Sequence, residues 1–137
     1  MSDTPLVSVV LPVYNGAAYL AEALASVQAQ TYRPIEMIVV DDGSTDASGD
    51  VARQATSQAR LLYQATRGAG AARNRGVAEA SGDLLAFLDQ DDVWVSEKLA
   101  WQVSALDADP TLDIVFGHVQ QFFSPDLDTA SRARLHC

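Results

Sequence analysis

The chain has one cysteine and one lysine in 137 residues. Cys137 is the last residue, so an intrachain disulfide and a cysteine metal cluster are both excluded. Lys98 is the single lysine, and every other cationic side chain is arginine, the better fork for phosphate oxygens. Basic residues number 9 against 18 acidic ones, for a formal charge of −9. That balance argues against nucleic acid or an anionic membrane surface as a partner of the bare chain. An anionic substrate needs a cation or a local basic group. His118 and His136 are too few and too far apart to suggest a zinc site. The start, Met1-Ser2-Asp3-Thr4-Pro5, lacks the basic n-region and apolar core of a signal peptide. No apolar run approaches the ~20 residues of a membrane-spanning helix. The expectation is a soluble, cytoplasmic protein, with membrane association only through a larger parent.

The composition is 48% hydrophobic, enough for one globular core. Residues 6–13 are β-branched and apolar and predict a buried strand, with Pro12 marking its end. Tyr14-Asn15-Gly16 reads as a turn. A helix follows to residue 30, with Asn15 as its cap, and Arg33-Pro34 stops it. A second strand spans 35–40. Ser44 is placed to cap an amphipathic helix running to about residue 58. A short third strand covers 60–64, a flexible loop 66–70, and a small-residue helix 71–80 ended by Gly82. Five apolar residues, 84–88, predict a strand buried on both faces. Residues 94–106 read as a helix with Val95, Leu99, Val103 and Leu106 on one face, and 112–123 as a last strand. Strictly alternating β and α elements imply a mainly parallel sheet between helices, a three-layer α/β/α sandwich. The domain is expected over 1–123, with 124–137 a tail of unassigned role.

Ligands of such sheets sit beyond the carboxyl ends of the strands. Four segments with useful chemistry fall there. Leu88-Asp89-Gln90-Asp91-Asp92 crowds three carboxylates, whose mutual repulsion a divalent cation bridging to phosphate relieves; hard oxygen ligands suit Mg²⁺ or Mn²⁺. Tyr14 offers a ring to stack on a base. Asp41 ends an apolar strand and can accept an N–H from a base edge, while Gly43 permits the turn after it. Asp42 and Asp46 can simply favour the positive N-terminus of the next helix. Gly68-Ala69-Gly70 opens a helix whose unpaired N–H groups suit phosphate, and Arg73 lies about one turn in. Each segment alone is as well explained by a cap or a solvated face. Together they make the inventory of a nucleoside-diphosphate pocket.

The same residues resemble a known family. Val9-Val10-Leu11-Pro12-Val13-Tyr14-Asn15, Val39-Val40-Asp41-Asp42-Gly43-Ser44-Thr45-Asp46, Gly70-Ala71-Ala72-Arg73-Asn74-Arg75-Gly76 and Phe87-Leu88-Asp89-Gln90-Asp91-Asp92-Val93-Trp94 resemble, in this order, the donor-binding half of an inverting family-2 glycosyltransferase of the GT-A fold. The resemblance implies a nucleotide-sugar donor, with uridine as the base, and a saccharide or lipid-linked acceptor. It puts Tyr14 against the base, Asp41 on the base edge and Arg73 at the diphosphate. Asp89 and Asp91 form the Asp-x-Asp, with Asp89 nearer the ribose and Asp91 on Mn²⁺ or Mg²⁺. Pro12, Asn15, Gly43 and Gln90 complete the donor-binding set. The acceptor hydroxyl attacks the anomeric carbon in line, helped by a carboxylate base.

The chain departs from that family after the Asp-x-Asp, where the base and acceptor site belong. No acidic motif there matches, and Asp107, Asp109 and Asp113 read as turn residues. A partial domain that binds donor but turns over little is expected. Three rivals remain open at this point. Asp89-Gln90-Asp91 also fits the nucleophile loop of haloacid-dehalogenase-like phosphatases, although that site needs a Ser/Thr, a lysine and an acidic pair downstream, and Lys98, the one lysine, sits too close. Gly68-Ala69-Gly70 with Asp89 fits a dinucleotide fingerprint, but Arg73 stands where the third glycine belongs. A nucleotide- or sugar-sensing module that kept the fold without the chemistry is the third.

Overall fold

A computed structural model describes residues 4–115. Eight elements alternate: β1 (Val7–Val13), α1 (Ala17–Gln28), β2 (Ile35–Asp41), α2 (Ser48–Ala55), β3 (Ala59–Tyr63), α3 (Ala69–Glu79), β4 (Leu84–Phe87) and α4 (Lys98–Ala108). All strand pairs are parallel, in the order β3-β2-β1-β4.

The order follows from the handedness of crossovers. From β1 to β2 to β3 the chain steps one way across the sheet, and from β3 to β4 it returns past both. Right-handed connections then put α1 and α2 on one face and α3 on the other. The two cores agree with that division. Val7, Val9, Leu11, Val13, Met37 and Val39 pack with Leu20, Leu24, Val27, Ala52 and Leu99 from α1, α2 and α4. Ile38, Val40 and Ala72 form the smaller cluster under α3. Here α3 comes so close that a Cβ on Gly76 would run into the methyls of Val10. Successive residues of a strand alternate faces, which is why β1, sandwiched on both sides, is buried along its whole length.

Several expectations need correction. β4 is not buried on both faces: Leu85 and Phe87 are 45% and 47% exposed. It pairs only with β1, over Val7–Val10, and is an edge among the described residues. Pro12 lies inside β1 rather than at its end, opposite Val40. Val10 turns its carbonyl to β4, accepting from Leu88 N–H at 3.1 Å, so Pro12, two residues on, also faces that side. The β4 ladder has already finished there, and a residue without an N–H loses nothing. Gly70 belongs to α3, not to a loop, and α3 stops at Glu79 rather than at Gly82, which is pressed against Ser8 and the Leu6 carbonyl. Helix α4 starts at Lys98, so Val95 precedes it and is exposed; Leu99 is its buried residue. Residues 112–115 form no strand, and the rest of the expected strand and the tail 124–137 lie outside the described residues. Among the described residues no helix is long and apolar enough to cross a membrane.

A buried amide fixes the segment after the acidic loop. The Gln30 side chain, 4% exposed, donates to Ser26 O and Val95 O and accepts from Leu99 N–H at 3.0 Å. At the opposite, amino end of the sheet, Glu36 accepts from Ser8 Oγ and from Ser81 N–H. Burial pushes the Glu36 carboxyl up, but these bonds more than reverse it, leaving it below the ordinary range.

Candidate functional site

The sheet changes direction between β1 and β4, and the crevice beyond their carboxyl ends is where such folds take ligands. Every segment singled out from the sequence arrives at this rim. Val13 is the register partner of Asp41, so Tyr14 and Asp42 leave the sheet side by side, and Asp42 N–H donates to Val13 O at 2.8 Å. Leu88 follows β4 level with β1, and Asp89, Gln90 and Asp91 come next.

Gln90 closes the gap left by Pro12. Its Oε1 accepts from Tyr14 N–H at 2.7 Å and its Nε2 donates to Tyr14 O at 3.0 Å. A side-chain amide thus supplies the next rung where the backbone ladder has ended. Gly16 leaves it room, since a Cβ there would overlap the Gln90 amide. Gln90 is therefore occupied in fixing Tyr14, which is 47% exposed at the rim.

Asn15 and Ser44 do not cap the helices that follow them. α1 begins after Gly16 and α2 after Ala47, with no side-chain cap bond in either case. The two loops bind each other instead. Asn15 takes a left-handed backbone, φ 50°, tolerated by asparagine. Its Oδ1 accepts from Thr45 N–H at 2.8 Å and from Asp46 N–H, and its own N–H donates to Ser44 Oγ. Gly16 N–H donates to Ser48 Oγ and Ala17 N–H to Asp46 Oδ2. The first free amides of α1 are thus satisfied by the loop after β2 and the first residue of α2. The hydrogen bond from Ser48 holds the Asp46 carboxyl below its usual range.

Asp42 serves α3 rather than α2. It is 3% exposed and accepts from Gln64 Nε2 at 2.7 Å, Arg67 N–H at 2.8 Å and Gly68 N–H at 2.9 Å. Burial raises its carboxyl, and these three donors more than reverse the effect, leaving it below the ordinary carboxylate range. Gly43 sits at φ 78° against Thr66, so it is required by backbone and packing alike.

Two predicted site residues meet directly. Arg73, in the first turns of α3, holds Asp89 at 3.1 Å, both side chains about half exposed. Gly68 and Gly70 have nothing within 4 Å of where a Cβ would stand, so the entrance to α3 is open. Asp91 is exposed and takes no hydrogen bond or ion pair among the described residues. Asp92 lies in the same turn, its N–H donating to Asp89 O at 3.1 Å. Partial burial, then the charges of Asp91 and Asp89, push its carboxyl up. Asp41 is 6% exposed; its Oδ1 accepts from Ser44 N–H at 2.9 Å. It lines an open cavity of about 240 Å³ that also takes in Arg53 and Tyr63. Neither of these was singled out from the sequence. The Asp50/Arg53 spacing marks only an i,i+3 ion pair on a helix, and Tyr63 reaches it through the pairing of β2 with β3.

This is an α/β domain of alternating strands and helices, with its polar residues gathered at the switch point of a parallel sheet. A family model described as Glycosyl transferase family 2 matches residues 8–134, and the chain belongs to that family. It is 50% identical over 97 residues to an uncharacterised glycosyltransferase of Nostoc sp., covering 68% of this chain and 30% of that protein. It is 38% identical over 128 residues to glycosyltransferase GlyG of Streptococcus pneumoniae, covering 88% of this chain and 41% of the relative. Among solved structures, S. aureus TarS 1-349 in complex with UDP matches with a TM-score of 0.68 at 30% identity, over 74% of this chain and 32% of that one. The mannosyltransferase PcManGT of Pyrobaculum calidifontis, in complex with GDP-Man and Mn²⁺, matches with a TM-score of 0.74 at 32% identity, over 79% of this chain and 34% of that one. The fold is GT-A, and the chain spans between 30% and 41% of the length of these relatives. Family membership removes the phosphatase and dinucleotide alternatives.

Proposed function

We propose that this chain binds the donor of a glycosyl transfer, a nucleoside-diphosphate sugar with uridine as its base, across the carboxyl rim of the sheet. The observation that carries the reading is the meeting of distant segments there: Gln90 on Tyr14, Asn15 on the loop after Asp41, and Arg73 on Asp89. The bound nucleotides of TarS and PcManGT support the same class of ligand.

Each residue has a task in this reading. Tyr14, fixed through its backbone, stacks on the base, and Asp41 accepts from the base N–H. Arg73 contacts the diphosphate bidentately, exchanging its hold on Asp89 for the stronger anion. Pro12, Asn15, Gly43 and Gln90 shape the rim rather than touch the donor.

The residues present fit Mn²⁺ or Mg²⁺. Asp91 is exposed and unpaired among the described residues, and Asp89 offers a second carboxylate; burial, and then their two charges, raise the Asp92 carboxyl, and a cation relieves the charge crowding. No group of three ligating side chains occurs among the described residues. That suits ions which take one or two carboxylates and complete their shell with water and substrate phosphates. When bound, such an ion neutralises charge developing on the leaving diphosphate. Transfer proceeds with inversion at the anomeric carbon, the acceptor hydroxyl being deprotonated by a carboxylate that we place outside residues 4–115.

A thermal-shift panel of nucleoside diphosphates with Mn²⁺ tests the reading. A ligand of the folded state alone stabilises by about 2.7 kcal/mol at a hundred times its Kd. UDP should then raise Tm by roughly 10 °C. Residues 1–137 alone should bind UDP-sugar and transfer no sugar. No shift with any nucleoside diphosphate, or robust transfer by this chain, contradicts it.

A further inference from the structure

The cavity at the end of β2 is lined by an acceptor and a donor. Asp41 supplies the acceptor. Its Oδ1 is taken by Ser44 N–H, and its Oδ2 lies about 3.5 Å from where a Cβ of Gly49 would stand. The same point lies 3.3 Å from the Tyr63 hydroxyl, so the missing side chain of Gly49 keeps the space between them open. Arg53 supplies the donor. Its Nη2 pairs with Asp50 and its Nη1 donates to Tyr63 Oη, while the guanidinium sits 6.0 Å from the Tyr63 ring centre. These contacts use two of its five N–H donors, and Arg53 lines the cavity together with Asp41.

We propose that Arg53, aimed by Asp50 and Tyr63, selects the base of the donor, which rests on the nucleotide reading above. An acceptor beside a donor matches a ring N–H beside a carbonyl. Uracil presents that edge: its N3–H donates to Asp41 Oδ2 and its O4 accepts from Arg53. Cytosine, with the same ring size, presents a lone pair at N3 and an amino group at C4. It sets lone pair against carboxylate and N–H against N–H. Two inverted contacts on one edge discriminate on the order of 10- to 100-fold.

The test is calorimetry of UDP and CDP, each with Mn²⁺, on the full chain and on the variants Arg53→Met, Tyr63→Phe and Asp41→Asn. Arg53 and Tyr63 are half exposed, so the first two variants retain the fold. The wild type is expected to prefer UDP by about 10- to 100-fold. Arg53→Met should weaken UDP about tenfold and leave CDP no weaker, and Tyr63→Phe should lower the preference in the same direction by less. Asp41→Asn should weaken UDP in either case. An unchanged UDP/CDP ratio in both Arg53→Met and Tyr63→Phe, with Asp41→Asn still weakening UDP, overturns the role of Arg53 and leaves the base pocket standing. UDP binding indifferent to Asp41→Asn overturns the pocket and the role together.

Discussion

Asp42→Ala will lower the stability of the fold by about 3–5 kcal/mol, the cost of breaking a buried, hydrogen-bonded charge network. The carboxylate is 3% exposed, and its removal strands three donors: Gln64 Nε2, Arg67 N–H and Gly68 N–H. A domain of this size has roughly 5–15 kcal/mol to lose, so the fall in Tm should be on the order of 10–20 °C. The pH dependence separates the charge from the volume. The folded carboxyl lies below its unfolded value, so its contribution is complete above the unfolded pKa, about 3.9. It is lost as pH falls through the folded value. The stability gap between wild type and Asp42→Ala should be constant from pH 7 to about 5 and narrow below about 4. Denaturant melts across that range check it; a gap that does not change with pH would assign the loss to packing instead.

Asp91→Asn will remove the metal-dependent part of nucleotide affinity while sparing the fold. The side chain is exposed and unpaired among the described residues, so the stability change should stay within about 0.5 kcal/mol. Wild-type chain should bind UDP at least tenfold more tightly with Mn²⁺ than in EDTA, since the loss of even an outer partner costs a metal site about 10- to 100-fold. In Asp91→Asn the two affinities should coincide at the EDTA value. Titration calorimetry reads both. Equal UDP affinity with Mn²⁺ and in EDTA in the wild type would remove the ion from the account.

The alternation of elements, the parallel sheet and the rim were legible because they follow from hydrophobic period and connection rules. What was not legible depends on contacts between distant segments. A run such as 84–88 reads the same whether one face or both are covered; only the pairing with β1 shows that Leu85 and Phe87 are half exposed. Asn15 and Ser44 stand where local rules put caps. Their hydrogen bonds cross to a loop some 30 residues away, and no local rule reports that. Asp42 and Asp46 read locally as favouring the start of α2; Asp42 serves α3 instead, while Asp46 accepts from Ser48 N–H at the start of α2 and also reaches Ala17 N–H of α1. Pro12 inside a strand broke a rule that the early end of the β4 ladder makes harmless. Arg53 and Tyr63 escaped notice because an exposed arginine on a helix and an aromatic at a strand end are ordinary until β2–β3 pairing brings both beside Asp41.

Amide chemical-shift mapping of ¹⁵N-labelled protein titrated with UDP and Mg²⁺ tests most directly whether one rim takes the nucleotide. Tyr14, Asp41, Gly43, Arg73 and Asp89 should move together on a single binding curve, with Ser8, Glu36 and Gly82 at the other end of the sheet unmoved. Shifts centred on that far end, or split between curves of different affinity, would contradict it.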